Sequence, residues 1–571
     1  MKMRKIILLL WIVSFQLFVV AQGKTNNNVG RVVYEKFING AVQSHEDRFI
    51  LEFANDIAKC WIDNTNSDLL PEVPLKFNYL DYENEKLYQQ AIFQGKDTCY
   101  KESDFVNLDE YKPEGKLVKI LGYECQKYVG SSFSNRIEIW VAKEVGIKGT
   151  PFLGTPHKEG LVLKYIRNGN YGWEARDVKI KKSKKMINPE PMNLGVKVNA
   201  QDFDKRLRNA LVKDVSLFSN QVINWGDKIE NAHEEYLDTV YRFAGGTVLA
   251  KKVKLPKVPL GTPVFAELIE KSNGDAYDRT GSVFVIPVNK EKSFLDGLRN
   301  GVDYLPEYMS GEGKKYHGVV VNDEFEPLIE LMRFFTPFGV NYFNEKRDVG
   351  IKWADSAVYK MDVSHLLPVL QDECWIGMYI GNYAKGGHCV NLNLKYYLDE
   401  KKNNAQKKYW IQPVFNTVNV MEMVGQKYGT MFRNDTLTVD FEVPKGVKNI
   451  QFQYITTGHG GWKQGDEFVP KENKVFLDGK SFFNFTPWRV DCGTYRRLNP
   501  ASGNFKNGMS SSDYSRSGWC PGTVANPFFM HLNGLSPGKH RIQVYIPLGE
   551  PEGNMFSAWN ISGVFVGEME E

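Results

Sequence analysis

Three stretches of the chain gather residues able to do chemistry. "GDAYDRTGSVFVIP", from Gly274, sets Tyr277, Asp278 and Arg279 directly ahead of an apolar β-branched run. "TTGHGGWKQGDEF", from Thr456, carries His459, Trp462, Asp466, Glu467 and Phe468 among glycines that let backbone approach a ligand closely. "DYSRSGWCPG", from Asp513, packs Arg516, Trp519 and Cys520 into a turn-prone loop, and Cys492 lies upstream in "WRVDCG". Carboxylates can move protons, and a guanidinium offers a permanent charge on a planar fork of donors. A tryptophan face can stack on the C–H face of a sugar. Pairing Cys492 with Cys520 would pin two long loops, an effect of about 3–4 kcal/mol in the chain-entropy model. Residue types alone do not separate such a site from a structural loop with a surface arginine.

The elements that must position these residues read as antiparallel sheet. Ile137, Ile139 and Val141 alternate with polar neighbours, as do Val390, Leu392, Leu394 and Tyr396. Leu437, Val439, Phe441 and Val443 repeat the pattern, and so do Ile542, Val544 and Ile546. Period two with one polar face means half-exposed strands. Many such strands joined by Gly- and Pro-rich turns predict sandwiches. One stretch differs: "NAQDFDKRLRNALVKDVSLF" has Phe203, Leu207, Leu211 and Val215 at helical spacing, with Asp202 as a candidate cap. This predicts a helix over 199–218 that closes a first domain. The aperiodic, charged "LDEKKNNAQKK" from Leu398 reads as a linker. Cys374 and Cys389 are candidates to bridge adjacent strands.

At 571 residues the chain is too long for one core. A net charge of +4 over 72 basic and 68 acidic residues leaves no nucleic-acid footprint. At the N-terminus Lys2, Arg4 and Lys5 precede an apolar run from Ile6 to Val20, and Val19 and Ala21 suit a cleavage site before Gln22. This is the pattern of a secretory signal peptide over 1–21 rather than an anchor, since Ser14 and Gln16 interrupt a short run. The expectation is a secreted or periplasmic protein, free of membrane after cleavage and monomeric. Export permits disulfides, and the seven cysteines leave at least one unpaired.

With these motifs in hand, about residues 240 to 571 resemble peptide-N-glycosidase F, a family of secreted bacterial amidases that remove N-glycans. "YDRTGSVFV", "GDEF" and "DCG…SRSGWCPG" carry the resemblance in the family's order. It implies two adjacent antiparallel jelly-roll β-sandwiches, over 231–405 and 406–571, with the site between them. The fold class is therefore all-β, preceded by a β-rich domain over 22–230 with a helical segment. The resemblance places catalytic roles at Asp278, Glu467 and Arg516 and bridging cysteines at Cys492 and Cys520. Substrate contacts would come from Tyr277, Arg279, Phe468 and Trp519; His459 and Trp462 in the Gly-rich loop are candidates either for sugar contact or for a simple structural role. No metal or cofactor is implied, and the partners would be N-glycosylated proteins or glycopeptides.

The chain departs from the family in two ways. "SNGDAYDR" and "GDEFV" lack the cysteines of two further short-range disulfides, so those loops must be held otherwise. A third family carboxylate falls at Gly381 in "MYIGNYAKGG", leaving its role lost, shifted or filled by another acid. The N-terminal part, with "LGYECQKYVG" and "GTPFLGTPHKEGLVLKY", resembles both the GLPGLI group and the bowl-shaped domain of longer family members. Substrate recognition, surface attachment and service as a passive folding appendage all stay open as its role.

Two other readings compete. A non-catalytic glycan-binding jelly roll suits the aromatics, but it has no need for two acids and an arginine to converge from distant positions. A copper monooxygenase shares the paired jelly-roll plan, but the nine histidines form no HxH pair.

Overall fold

The structure is a computed structural model. It describes residues 28–569 except 44–47, 55, 64–69, 71, 106–110, 154–159, 183–192, 227–234, 343, 345–349, 351, 400–407, 434, 461–464, 533 and 552. The expected signal peptide and most of the charged linker lie outside the described residues. Among those described, no helix is long and apolar enough to cross a membrane. The chain divides into two units, one over Met1–Val212 with Asp399–Lys402, the other taking the remainder. The division falls ahead of the expected 230.

The first unit is built on one 13-stranded sheet, with Val196–Lys197 joined in parallel to Thr98–Asp104 at one end. Alternation is obeyed closely: Ile137, Ile139 and Val141 turn inward from strand Asn135–Ala142. One core runs along this face and includes Leu51, Leu80, Leu163 and Trp173. The helix is shorter than its pattern, covering Ala200–Ala210. Its cap is Asn199, whose side chain accepts from the Asp202 N–H at 2.8 Å, so Asp202 occupies the first turn instead of the cap. Phe203 anchors it against Ala91 and Cys99. The residues beyond, Val212–Ile223, form a strand beside His388–Tyr397. The helical spacing of Leu211 and Val215 is overridden there, because β-branched residues meet the open edge of a sheet.

The second unit holds the two jelly-roll sandwiches. In the first, a four-stranded sheet (Val212–Ile223, His388–Tyr397, Val264–Ser272, Ala357–Asp362) faces a six-stranded one. That larger sheet has Thr280–Ile286 between Asp372–Ile380 and Ile329–Phe335, and is buried along Gly281–Ile286. The second sandwich pairs a sheet of Lys408–Asn416, Ala558–Met569, Val447–His459 and Phe528–Leu532 with one of Leu437–Val443, Gly538–Tyr545, Asn473–Leu477 and Lys480–Phe485. Neighbouring strands are mostly distant in sequence, as Greek-key wiring requires. Cys374 and Cys389, candidates for a bridge, do not form one. Both thiols are free, and their strands belong to different sheets.

A buried ion pair joins the sandwiches. Arg333 donates to Glu330 from Nε at 3.0 Å and from Nη2 at 2.6 Å. Its Nη1 donates to the Asn560 carbonyl at 2.6 Å and to the Thr457 hydroxyl at 3.3 Å, both in the second sandwich. Ser282 and Ser562 hydroxyls donate to Glu330 at 2.8 and 2.6 Å. Neither charged side chain is exposed. The segment Val524–Ala525 adds a second tie by pairing with Phe334 and Arg333. Arg333→Ala leaves Glu330 charged and unmatched, so urea unfolding should show a loss of about 3–5 kcal/mol. A loss below about 1 kcal/mol, the scale of an exposed pair, would show that the pair does not hold the sandwiches together.

Candidate active site

Asp278 sits in the turn that feeds strand Thr280–Ile286. The turn is closed from within: Asp275 accepts from the Tyr277 N–H at 3.1 Å and from Arg279 Nε at 2.8 Å. Arg279 N–H donates to the Thr336 hydroxyl at 2.8 Å, and that hydroxyl donates to the Tyr277 carbonyl at 3.0 Å. Both chain neighbours of Asp278 are thereby fixed. The Arg279 guanidinium also lies over the rings of Tyr277, at 4.9 Å, and Tyr383, at 5.2 Å.

Glu467 follows strand Val447–His459 in a tight turn. Its neighbour Asp466 is the anchor, fully buried and accepting from Trp559 Nε1 at 2.7 Å and the Gly549 N–H at 2.9 Å. Desolvation pushes the Asp466 pKa up, against these donors. These contacts, with those of Asp275, are what holds the two cysteine-free loops.

Arg516 arrives on the short strand Arg516–Ser517, which pairs with Trp488–Arg489. The Ser517 N–H donates to the Glu467 carbonyl at 3.0 Å, locking the arginine strand to the glutamate turn. Gly518 makes that approach possible. It has φ of 83°, and a Cβ there would lie 2.5 Å from the Thr456 carbonyl oxygen. A disulfide joins Cys492 and Cys520 just beyond.

Here the three sequence-predicted groups meet. Arg516 Nη2 lies 3.3 Å from Asp278 Oδ2, and Nη1 pairs with Glu467 Oε1. Nη2 also donates to the Ser511 carbonyl at 2.8 Å. The guanidinium is sandwiched between the rings of Phe468, at 4.8 Å, and Trp519, at 4.4 Å. It is fully buried, while the Asp278 and Glu467 side chains keep 17 % and 19 % exposure. The carboxylates therefore face outward and the arginine stands behind them. Desolvation raises the Asp278 pKa to about 6, against the charges of Arg516 and Arg279. Burial presses Arg516 down to about 10, which leaves it charged at neutral pH.

The other expected contacts are placed unequally. Tyr277 is 61 % exposed and open to a ligand. Trp519 is buried, with one face on Phe335 at 4.1 Å and the other under Arg516, and its Nε1 donates to the Gly458 carbonyl at 2.9 Å. It has no free face for a sugar. His459 packs 5.7 Å from Phe335 and 5.5 Å from Trp519, with Nε2 2.8 Å from the Thr457 hydroxyl. Burial, then the charges of Arg333 and Arg516, drive its pKa down to about 3, so the ring is neutral. Trp462 lies outside the described residues. Phe468 serves as the outer ring of the arginine sandwich.

Motif reading missed Glu422. A Cβ on Gly381 would lie 3.4 Å from Glu422 Oε2 and 2.4 Å from the Tyr379 hydroxyl. The Glu422 carboxylate accepts from Tyr379 at 2.9 Å and from the hydroxyls of Tyr383 and Tyr428. Tyr383 is the residue whose ring meets Arg279, which ties Glu422 to the turn of Asp278. An isolated acid in a short 3-10 turn carries no sequence pattern to announce it. Among the described residues Asp491, Cys492 and Cys520 have donors close enough to share an ion, but both sulfurs are spent in the disulfide.

Comparison with known proteins places the chain in a family. Residues 214–396 match the profile of peptide-N-glycosidase F, N terminal, and 427–566 that of its C-terminal half. Residues 32–203 match the N-glycanase peptide, N-terminal domain. PNGF-II, solved in a P21 crystal form, is similar at 41 % identity, covering 95 % of this chain and 100 % of that one with a TM-score of 0.79. Its C2 form gives 41 % identity, 95 % and 99 % coverage and a TM-score of 0.73. PNGase F, a glycosylasparaginase from Flavobacterium meningosepticum, is similar at 14 % identity over 63 % of this chain and 96 % of that one, with a TM-score of 0.43. No curated protein sequence matched. The chain belongs to the peptide-N-glycosidase F family.

Proposed function

We propose that the protein is a secreted amidase that hydrolyses the bond between an asparagine side chain and the first N-acetylglucosamine of an N-linked glycan. The observation that carries this reading is the meeting of Asp278 and Glu467, far apart in sequence, on one buried guanidinium. Family membership supports it.

Amides resist attack because resonance weakens the carbonyl carbon as an electrophile. Water must lose a proton as it adds, and the departing nitrogen must gain one. Asp278 takes the proton from water and returns it to that nitrogen, a task suited to a carboxyl poised near pH 6. Glu467 accepts the amide N–H and orients the scissile group. The C–N bond breaks, leaving aspartate on the peptide and a glycosylamine that later loses ammonia. Arg516 does not reach the substrate; it holds the two acids at fixed positions and keeps Asp278 from protonating further. Arg279, Tyr277 and Glu422 line the sugar's side, with Glu422 in the place of the carboxylate expected at 381. Glu422→Gln should raise KM several-fold with a smaller change in kcat, because it removes binding common to ground and transition states. An unaltered KM for defined glycopeptides would remove Glu422 from the sugar site.

The test of the function is incubation with a denatured N-glycoprotein. Loss of glycan mass, with aspartate appearing where asparagine stood, supports the amidase. Retention of glycopeptide by the protein without any release would point instead to a glycan-binding module.

A further inference from the structure

Resting on that amidase reading, we infer that His388 is a positioning residue: the buried chain Glu270–His388–Asp275–Arg279 sets where the Asp278 carboxylate points. His388 opens strand His388–Tyr397, opposite Ser272 at the end of Val264–Ser272. Its Nδ1 lies 2.7 Å from Glu270 Oε1 and its Nε2 lies 3.6 Å from Asp275 Oδ2. Asp275 passes this link outward through its bonds to the Tyr277 N–H and to Arg279 Nε and Nη2, at 3.1, 2.8 and 3.3 Å. One carboxylate thus grips the residues on either side of Asp278, and one imidazole ties that carboxylate to the interior. None of the side chains of Glu270, His388 and Asp275 is more than 1 % exposed.

Charges alternate along the chain: acid, imidazolium, acid, guanidinium. With His388 protonated they cancel, and without its proton two buried acids share one guanidinium, which is costly. Burial alone would discharge the ring, but the two flanking carboxylates, Asp275 and Glu270, outweigh it and lift the pKa to about 9. Asp275 is carried the other way: despite burial, His388 and Arg279 hold it at about 2. Among the described residues Tyr359 also faces this set, its hydroxyl 3.5 Å from Glu270 Oε2 and donating to the Phe335 carbonyl at 2.9 Å, and Asp278 feels the Asp275 charge. The sign follows from the raised value. A histidine with folded pKa above its free value of about 6.5 contributes stability that is full below about 6.5 and is lost as pH rises through about 9.

The experiment compares kcat and KM of the parent and His388→Gln on one glycopeptide across pH 6 to 10. Misplacing a catalytic group by about 1 Å costs on the order of 10²-fold, so kcat should fall at least about 10-fold while KM moves little. The parent kcat should also decline through about pH 9, and that alkaline limb should vanish in His388→Gln. A folded His388→Gln enzyme with parental kcat and the same limb overturns the inference. If the variant does not fold, the parent profile decides: a flat kcat from pH 8 to 10 overturns it, and a fall centred near 9 supports it. Asp278→Asn separates the two claims. If it is dead while His388→Gln is fully active, only the positioning role fails; if it releases glycan at the parent rate, the assignment of Asp278 fails and the positioning role with it; and if the parent itself releases no glycan, the amidase reading fails.

Discussion

Replacing Asp278 with asparagine is expected to lower kcat/KM for glycan release by about 10²-fold or more, the usual worth of a positioned acid or base. The amide keeps the shape and the turn, since Asp275 and Thr336 hold Tyr277 and Arg279 without help from residue 278. It cannot take a proton from water at neutral pH. The parent should show kcat/KM rising as pH climbs through about 6, where Asp278 ionises. Residual activity of the variant should lack that limb. Stability should move the other way. The folded pKa lies above the value of a free aspartate, so ionising Asp278 costs the fold free energy that the amide does not. A thermal midpoint held or raised, alongside lost turnover, marks a catalytic group and not a structural one. Parental release of glycans by a folded Asp278→Asn protein would sink the assignment.

The parts legible in the sequence are those with local pattern. Strand Leu437–Val443 buries Leu437, Val439, Phe441 and Val443, as its alternation predicts. Asp278, Glu467 and Arg516 stand in motifs whose residue types are unusual for loops, and the resemblance set their order. Their convergence on one guanidinium is a tertiary fact that spacing does not carry. The illegible parts are those in which chemistry hides inside a structural pattern. His388 and Glu270 fall at inward positions of alternating strands, where they read as breaks in a core stripe. Asp275 looks like an ordinary turn residue until its four contacts are seen. Trp519 shows the opposite error. A tryptophan in a Gly-Pro loop suggests an open stacking face, but both its faces are filled by Phe335 and Arg516. The helix beginning at Ala200 failed at its far end for a related reason: an apolar spacing of four also fits a strand when a neighbouring sheet edge takes the chain.

Arg516→Lys should cost about 10²-fold in kcat/KM even though the charge is kept. The guanidinium packs against the Phe468 and Trp519 rings, and its two terminal nitrogens address different acids. An ammonium is a single point on a flexible stem. It can approach Asp278 or Glu467, but it cannot hold both at once or fill the slot between the rings. The acid that loses its partner is free to turn. Arg516→Gln goes further by removing the charge. Arg516 is the largest influence opposing desolvation at Asp278, so without it the Asp278 pKa must rise above about 6. The acid limb of kcat/KM should therefore move to higher pH in Arg516→Gln, and by less in Arg516→Lys. A purely structural arginine would lower the thermal midpoint of both variants and leave that limb in place. Finding the limb unmoved in a folded Arg516→Gln protein would separate Arg516 from the charge state of Asp278, and with it the claim that one buried cation organises the two acids.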